Sequence, residues 1–409
     1  MRRLVVLALA LGLAACGDDS SGPGAGSNQL VVGALLSLTG PGQTLGRTSE
    51  AALQLAADDL NAQLSSQGSP TRVSVRVEDT GLDPTLALDR LRALAGEGVR
   101  IFIGPQSSSE VGALKPFADS AGVVLMSQGS TASALSIADD NVFRLVPDDS
   151  QEGQAMVALL GGDGIQTVVP LWREDAGNQG LHDAVERLFP EQGGTVTAGA
   201  HYPPATTDFS AQLEAIRSQV GDAVAQNGAA TVAVYLAAFE ESAAIFAQAS
   251  QDPTLSQVQW YGGDGTVQSA AVVADPAAAG FAASTAFRAP TYGLDDELLQ
   301  QDAELIGAIQ ARSGLSPDAF TLAAYDALHV ATLAYAEVGL GSIEEYRAEL
   351  LRQAGTYTGA TGPTTLNPAG DRAIGDYDFY QVCASAPPSW RRVEAYRATP
   401  GTVVNVGAC

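Results

Sequence analysis

The chain has 409 residues, 46% hydrophobic and 16% charged, so it is globular, not disordered, and too long for one ordinary core. Its 46 acidic against 21 basic residues give a formal charge of −25, which excludes nucleic-acid binding and repels the body from anionic lipid. Lys115 is the only lysine, which argues against Schiff-base chemistry.

The chain opens with an export signal. Arg2 and Arg3 precede an apolar run from Leu4 to Leu13, and Ala14 and Ala15 lead to Cys16. That is the order of a charged region, a short apolar region and a small-residue cleavage site. The run is too short to span a bilayer, which needs about 20 residues. Leu13-Ala14-Ala15-Cys16 resembles the lipobox of bacterial lipoproteins. The resemblance implies that residues 1–15 are removed and that Cys16 is acylated as the mature N-terminus. An ordinary signal peptide with a chance cysteine is the plainer alternative, and either one exports the chain. Residues 16–28 then form a tether. Gly17 to Ser27 hold no large apolar residue and would span about 18 Å as a random coil.

The body alternates strand and helix signals. Leu30 to Leu36 is an apolar run of strand length, and Leu53, Ala56, Leu60 and Leu64 recur at helical spacing. Val73, Val75 and Val77 alternate as in a strand. Asp83-Pro84 predicts a helix N-cap with proline at the first helical position. Val99 to Ile103 reads as a strand, a helix follows from about Glu110, and Val123 to Met126 is another strand. The rhythm restarts with strands at Val168, Thr195, Val232 and Val258, separated by helices at Leu181–Leu188, Phe209–Val220 and Ser242–Ala249. From Asp295 the chain turns helical to about Gln353, and two strands follow near Asp378–Val382 and Arg392–Tyr396. A βαβ rhythm implies parallel sheets covered on both faces. The expected fold is α/β, with residues 29–147 plus 290–360 in one lobe and 148–289 plus 361–409 in the other.

Ligands of open α/β sheets bind past the carboxyl ends of the strands. Ile103-Gly104-Pro105-Gln106-Ser107-Ser108-Ser109 and Met126-Ser127-Gln128-Gly129-Ser130-Thr131 each end a strand in hydroxyls at a predicted helix mouth, which suits an anion. Ser109 and Thr131 would equally serve as plain helix caps. In the other half, Trp260-Tyr261-Gly262-Gly263-Asp264-Gly265 puts one carboxylate on a glycine-rich turn. Asp264 would be either a turn residue or the counter-charge for a ligand ammonium.

In order and spacing, these segments resemble the leucine/isoleucine/valine-binding protein family, the type I periplasmic binding proteins of ABC importers. The resemblance also covers Val32-Gly33-Ala34-Leu35-Leu36-Ser37-Leu38-Thr39-Gly40, Ala324-Tyr325-Asp326-Ala327 and Gly359 to Tyr380. It implies two doubly wound, Rossmann-like lobes joined by three hinge crossings, closing as a clamp on an amino acid. Carried over by position, Ser108 and Thr131, with main-chain groups of Gly129 and Ser130, would hold the ligand carboxylate, and Asp264 the ammonium. The side-chain pocket departs from the family pattern. The loop Asp175-Ala176-Gly177-Asn178-Gln179-Gly180 lacks the family's tyrosine, Ala238 and Phe239 stand where another is common, and Leu45 replaces an aromatic. Trp172 would compensate or belong to the core.

The remaining residues bound the chemistry. With Cys16 lipidated, Cys383 and Cys409 are left near the C-terminus of an exported chain, and one disulfide is expected, the alternative being two free thiols. His182, His201 and His329 are read as packing or surface residues, without a metal site or cofactor. No Gly-x-Ser-x-Gly elbow surrounds a serine, so no enzyme is expected. The reading is a monomeric, lipid-anchored binding protein facing the periplasm or cell exterior. Its expected partners are a small ligand, an amino acid of the branched-chain kind or related, and a membrane permease. A sensor, or an activator of a cell-wall synthase with the same fold, is the alternative.

Overall fold

The computed structural model describes residues 29–294 and 296–409; the expected signal sequence, lipidated Cys16 and tether, residues 1–28, lie outside them. In chain order the first sheet is built from β1 (Gln29–Leu36), α1 (Gln43–Ser66), β2 (Arg72–Asp79), α2 (Pro84–Gly96), β3 (Ile101–Ile103), α3 (Ser108–Ala121), β4 (Val124–Ser127) and β5 (Val142–Arg144). The chain continues with α4 (Asp149–Gly162), β6 (Thr167–Arg173), α5 (Ala176–Glu191), β7 (Thr195–Val196), β8 (Ala200–Tyr202), α6 (Ser210–Asn227), β9 (Val232–Ala237) and α7 (Ser242–Ala249). Next come β10 (Gln259–Gly262), α8 (Ala270–Ala274), α9 (Pro276–Ser284) and β11 (Arg288–Tyr292). Four helices follow, α10 (Asp296–Gln301), α11 (Ala303–Ser313), α12 (Ala319–Val338) and α13 (Ile343–Ala354). The chain closes with a small hairpin of β12 (Thr358–Gly359) and β13 (Gly362–Pro363), then β14 (Tyr377–Cys383), β15 (Ser389–Arg397) and β16 (Thr402–Asn405).

These elements form two lobes. The first holds a parallel sheet in the order β2-β1-β3-β4-β5. The second holds β16-β15-β14-β11-β10-β9-β6-β7, with β8 beside β6. Its β11-β14-β15-β16 part is antiparallel and the rest parallel. Both faces of each sheet are covered, which a parallel sheet requires. In the first lobe Leu30, Val32, Ala34 and Leu36 face α1 and α12, while Leu35 and Phe102 face α2 and α3. In the second, Val168, Ala233 and Tyr235 face α4 and α5, while Val169, Val234 and Leu236 face α6 and α7. The chain passes between lobes after β5, after β11 and before β14.

Local signals explain most of the elements. Asp83 caps α2 by accepting the N–H groups of Thr85 and Leu86, with Pro84 in its first turn. Helix α3 starts earlier than expected and its cap is Ser107, not Ser109. Ser107 and Glu110 form a reciprocal capping box. Thr131 caps no helix; its carbonyl accepts the N–H of Asp149 at the start of α4. Cys383 and Cys409 are bonded to each other, tying the end of β14 to the last residue.

One ion pair anchors a crossing. Arg144, fully buried at the end of β5, donates through Nε and Nη2 to the two carboxylate oxygens of Asp371, at 2.5 and 2.8 Å. It also donates to the carbonyl of Ala132, 2.8 Å away. Asp371 lies on the segment that returns toward β14, so the pair fixes that segment against the first sheet. Removing one partner of a buried pair strands the other charge. Asp371→Ala is therefore expected to lower unfolding stability by about 3–5 kcal/mol, read from the midpoint of chemical denaturation.

Candidate functional site

A cleft opens between the carboxyl ends of the two sheets, enclosing about 650 Å3 of space partly open to solvent. Leu45, Gly129, Phe239 and Asp264, all singled out in the sequence, line it together. Glu240 and Asp318 line it too, so among the described residues three carboxylates face this space and no lysine or arginine does.

Asp264 sits on a short 3-10 turn after β10. Gly265 lets that turn press against the chain after β9, because a Cβ there would stand 2.5 Å from the carbonyl oxygen of Ala238. Thr131 of the first lobe stands beside the Asp264 carboxyl. Burial, with the charge of Asp318 adding to it, pushes that carboxyl up to about 7 despite the N–H of Gly265 and the Thr131 hydroxyl. Phe239 is held by Arg173, whose guanidinium lies 5.4 Å from the ring centroid. Arg173 is itself paired with Asp175 and Glu241.

The hydroxyl cluster of the first lobe is assembled but internally occupied. Ser108 and Ser130 are buried, their Oγ atoms 3.0 Å apart, and Ser108 Oγ accepts the N–H of Ala132. The N–H groups of Gly129 and Ser130, expected to face a carboxylate, donate instead to Ser127 Oγ, at 3.3 and 2.9 Å. Ser127 is a donor in turn to the carbonyl of Pro105. At the start of α3 the N–H of Glu110 is already taken by Ser107 Oγ, so only the N–H groups of Ser108 and Ser109 lack a partner within the helix or its cap.

Trp172 and Ala238 stand away from the cleft, while Ala176 sits at the lobe junction without lining it. Trp172 stacks on His182 with ring centroids 3.8 Å apart and donates to Gln179. Ala238 is fully buried in the second lobe's core. The N–H of Ala176 donates to Ser109 Oγ across the cleft. His182 also has acidic neighbours that the sequence reading overlooked: with Asp183 and Glu186 it forms a tight group on α5, both acids exposed.

Sequence reasoning missed Glu240 and Asp318. Asp318 carries an ordinary cap signature, and it does cap α12 through the N–H of Thr321. Glu240 acts across the cleft. Helix α1 has glycine at its N-cap and no side-chain cap of its own. Glu240 of the second lobe accepts the N–H of Thr44 at 2.8 Å, and its own N–H donates to the carbonyl of Pro41. Ser109 does the reverse for α5. Each lobe thus caps a helix of the other. Glu240→Ala is expected to cost this closed arrangement about 1 kcal/mol, the usual worth of a cap. Small-angle scattering checks it: the radius of gyration rises for Glu240→Ala, and less for Glu240→Gln, which keeps an acceptor oxygen.

Among the described residues no helix is long and apolar enough to cross a membrane. A family model for periplasmic binding proteins matches residues 29–386. An uncharacterised protein of Methanocaldococcus jannaschii, MJ1266, is 28% identical, the match covering 93% of this chain and 92% of that protein. Among solved structures, the leucine binding protein LivK of Thermotoga maritima superposes with a TM-score of 0.72 at 21% identity, over 92% of this chain and 98% of that one. A solute binding protein of R. palustris in complex with benzoate superposes with a TM-score of 0.70 at 18% identity, over 92% and 95% of the two chains. With both sheets, the three crossings and the cleft between them in place, the chain belongs to the periplasmic binding protein family, in its type I, two-lobed clamp form.

Proposed function

We propose that the protein captures a free amino acid between its lobes and presents it to the permease of an ABC importer, working as an exported, lipid-anchored monomer. The observation that carries this reading is Asp264. It is a carboxylate on the cleft wall with no lysine or arginine among the lining residues, set beside Thr131 of the opposite lobe. A zwitterion leaving water needs partners for both charges. Asp264 meets the ammonium. The carboxylate falls to the start of α3 and the hydroxyls of Ser108 and Thr131, with Ser127 releasing the Gly129 and Ser130 amides as the ligand enters. Each lobe supplies one half, so the ligand favours the closed form by contacts that exist only there. The rest of the cleft mixes Leu45, Phe239 and Phe320 with Thr44, Gln268 and Ser316, which suits a side chain of moderate size.

A second reading comes from the neighbour that holds benzoate. An aromatic carboxylate would use the same donors but would leave Asp264 facing no cation. The two are separated by one variant. Asp264→Asn is expected to weaken amino-acid binding by about 10²–10⁴-fold, from the roughly 3–5 kcal/mol lost when a buried pair is broken. The same change would leave benzoate binding equal or tighter. Thermal-shift screening of the common L-amino acids and benzoate supplies the ligand for that titration. At a hundred times its dissociation constant a ligand adds about 2.7 kcal/mol of stability.

A further inference from the structure

Behind Asp264 lie two further carboxylates that the reading above does not use. Asp149 and Glu152 occupy the first turn of α4 and are each 1% exposed. Glu152 Oε1 accepts the backbone N–H of Asp264 at 3.1 Å. Its other oxygen, the Tyr235 hydroxyl and the side-chain amide of Gln128 are buried with no hydrogen-bond partner, and Asp149, equally buried, has the Thr131 hydroxyl beside it. The charged and titratable groups facing this nest are Asp148, Arg144, Asp175, Asp318, Tyr235 and Tyr377. Arg144 is the one cation among them, and its guanidinium is bound to Asp371.

Carboxylates crowded together out of water do not all ionise; the group takes up protons instead. The amide dipoles at the start of α4 favour negative charge, but Asp148 already caps that start through the N–H of Ser150. An ammonium arriving at Asp264 changes that balance, because the cation already facing the nest, Arg144, is paired with Asp371.

We propose that Glu152, together with Asp149, is a positioning residue of the ammonium site: it holds the Asp264 turn by its backbone N–H and makes ligand uptake release a proton. This rests on Asp264 being the ammonium's partner. The electrostatics agree with the geometry. Burial first, then the charge of Asp264, holds the Asp149 and Glu152 carboxyls well above the usual range. A carboxyl raised to about 7 is protonated below that pH and then cannot counter an ammonium. Affinity therefore falls as the pH drops through 7, by up to about tenfold per unit for one proton.

The test uses the mature protein and each of the common L-amino acids in turn, with dissociation constants measured by calorimetry between about pH 5.5 and 8. The expected result for the tightest binder is affinity that rises with pH. Glu152→Gln keeps an oxygen to accept the Asp264 N–H and removes one acid, so its profile moves to lower pH and binding at the acid end strengthens. Asp149→Asn moves it the same way. A flat wild-type profile overturns the proposal while leaving the amino-acid reading intact, and so does a Glu152→Gln profile that overlays the wild type. Binding of no amino acid at any pH removes the ammonium reading, and the proposal with it.

Discussion

Keeping a carboxylate charged out of water requires a positive group nearby, and the cleft withholds one from Asp264. The arginines that pack near the lobe junction are committed elsewhere. Arg144 is bound to Asp371, and Arg173 to Asp175 and Glu241. Arg372 spends its donors on Thr361 and on the carbonyls of Leu145 and Pro363. Each of these contacts fixes a strand end or a crossing, so the scaffold's cations are spent internally and Asp264 is left without one in the cleft lining. The glycine at 265 and the acceptor at Glu152 then hold that one carboxylate still.

The frame was legible because its cues are local. The apolar runs at Leu30–Leu36 and Val232–Leu236, the alternating valines of β2 and the Asp83-Pro84 start of α2 all depend on neighbours in sequence. The elements that escaped lack such cues. β5 and β8 are three residues each, β11 carries an arginine and a proline, and α4 is buried on most sides, so it shows no polar stripe. The start of α3 was readable after all, since Ser107 precedes Glu110 by the three residues of a capping box.

The site was legible only in part, for the same reason. Leu45, Gly129, Phe239 and Asp264 share a cleft because each follows a strand or starts a helix at the same end of a sheet. Glu240 and Glu152 gain their meaning from partners more than a hundred residues away, Thr44 and the amide of Asp264. No spacing rule reports such a pair. Trp172 and Ala238 show the converse error, in which position along the chain is right and the direction of the side chain is not.

The exchange of caps between lobes also defines what the parted form exposes. When the lobes separate, α1 loses Glu240 and has no side-chain cap of its own, whereas α5 loses Ser109 but keeps Asp175 on the N–H groups of Gly177 and Asn178. Parting the jaws therefore costs the two sides unequally, because the first lobe gives up its helix cap outright while the second retains one.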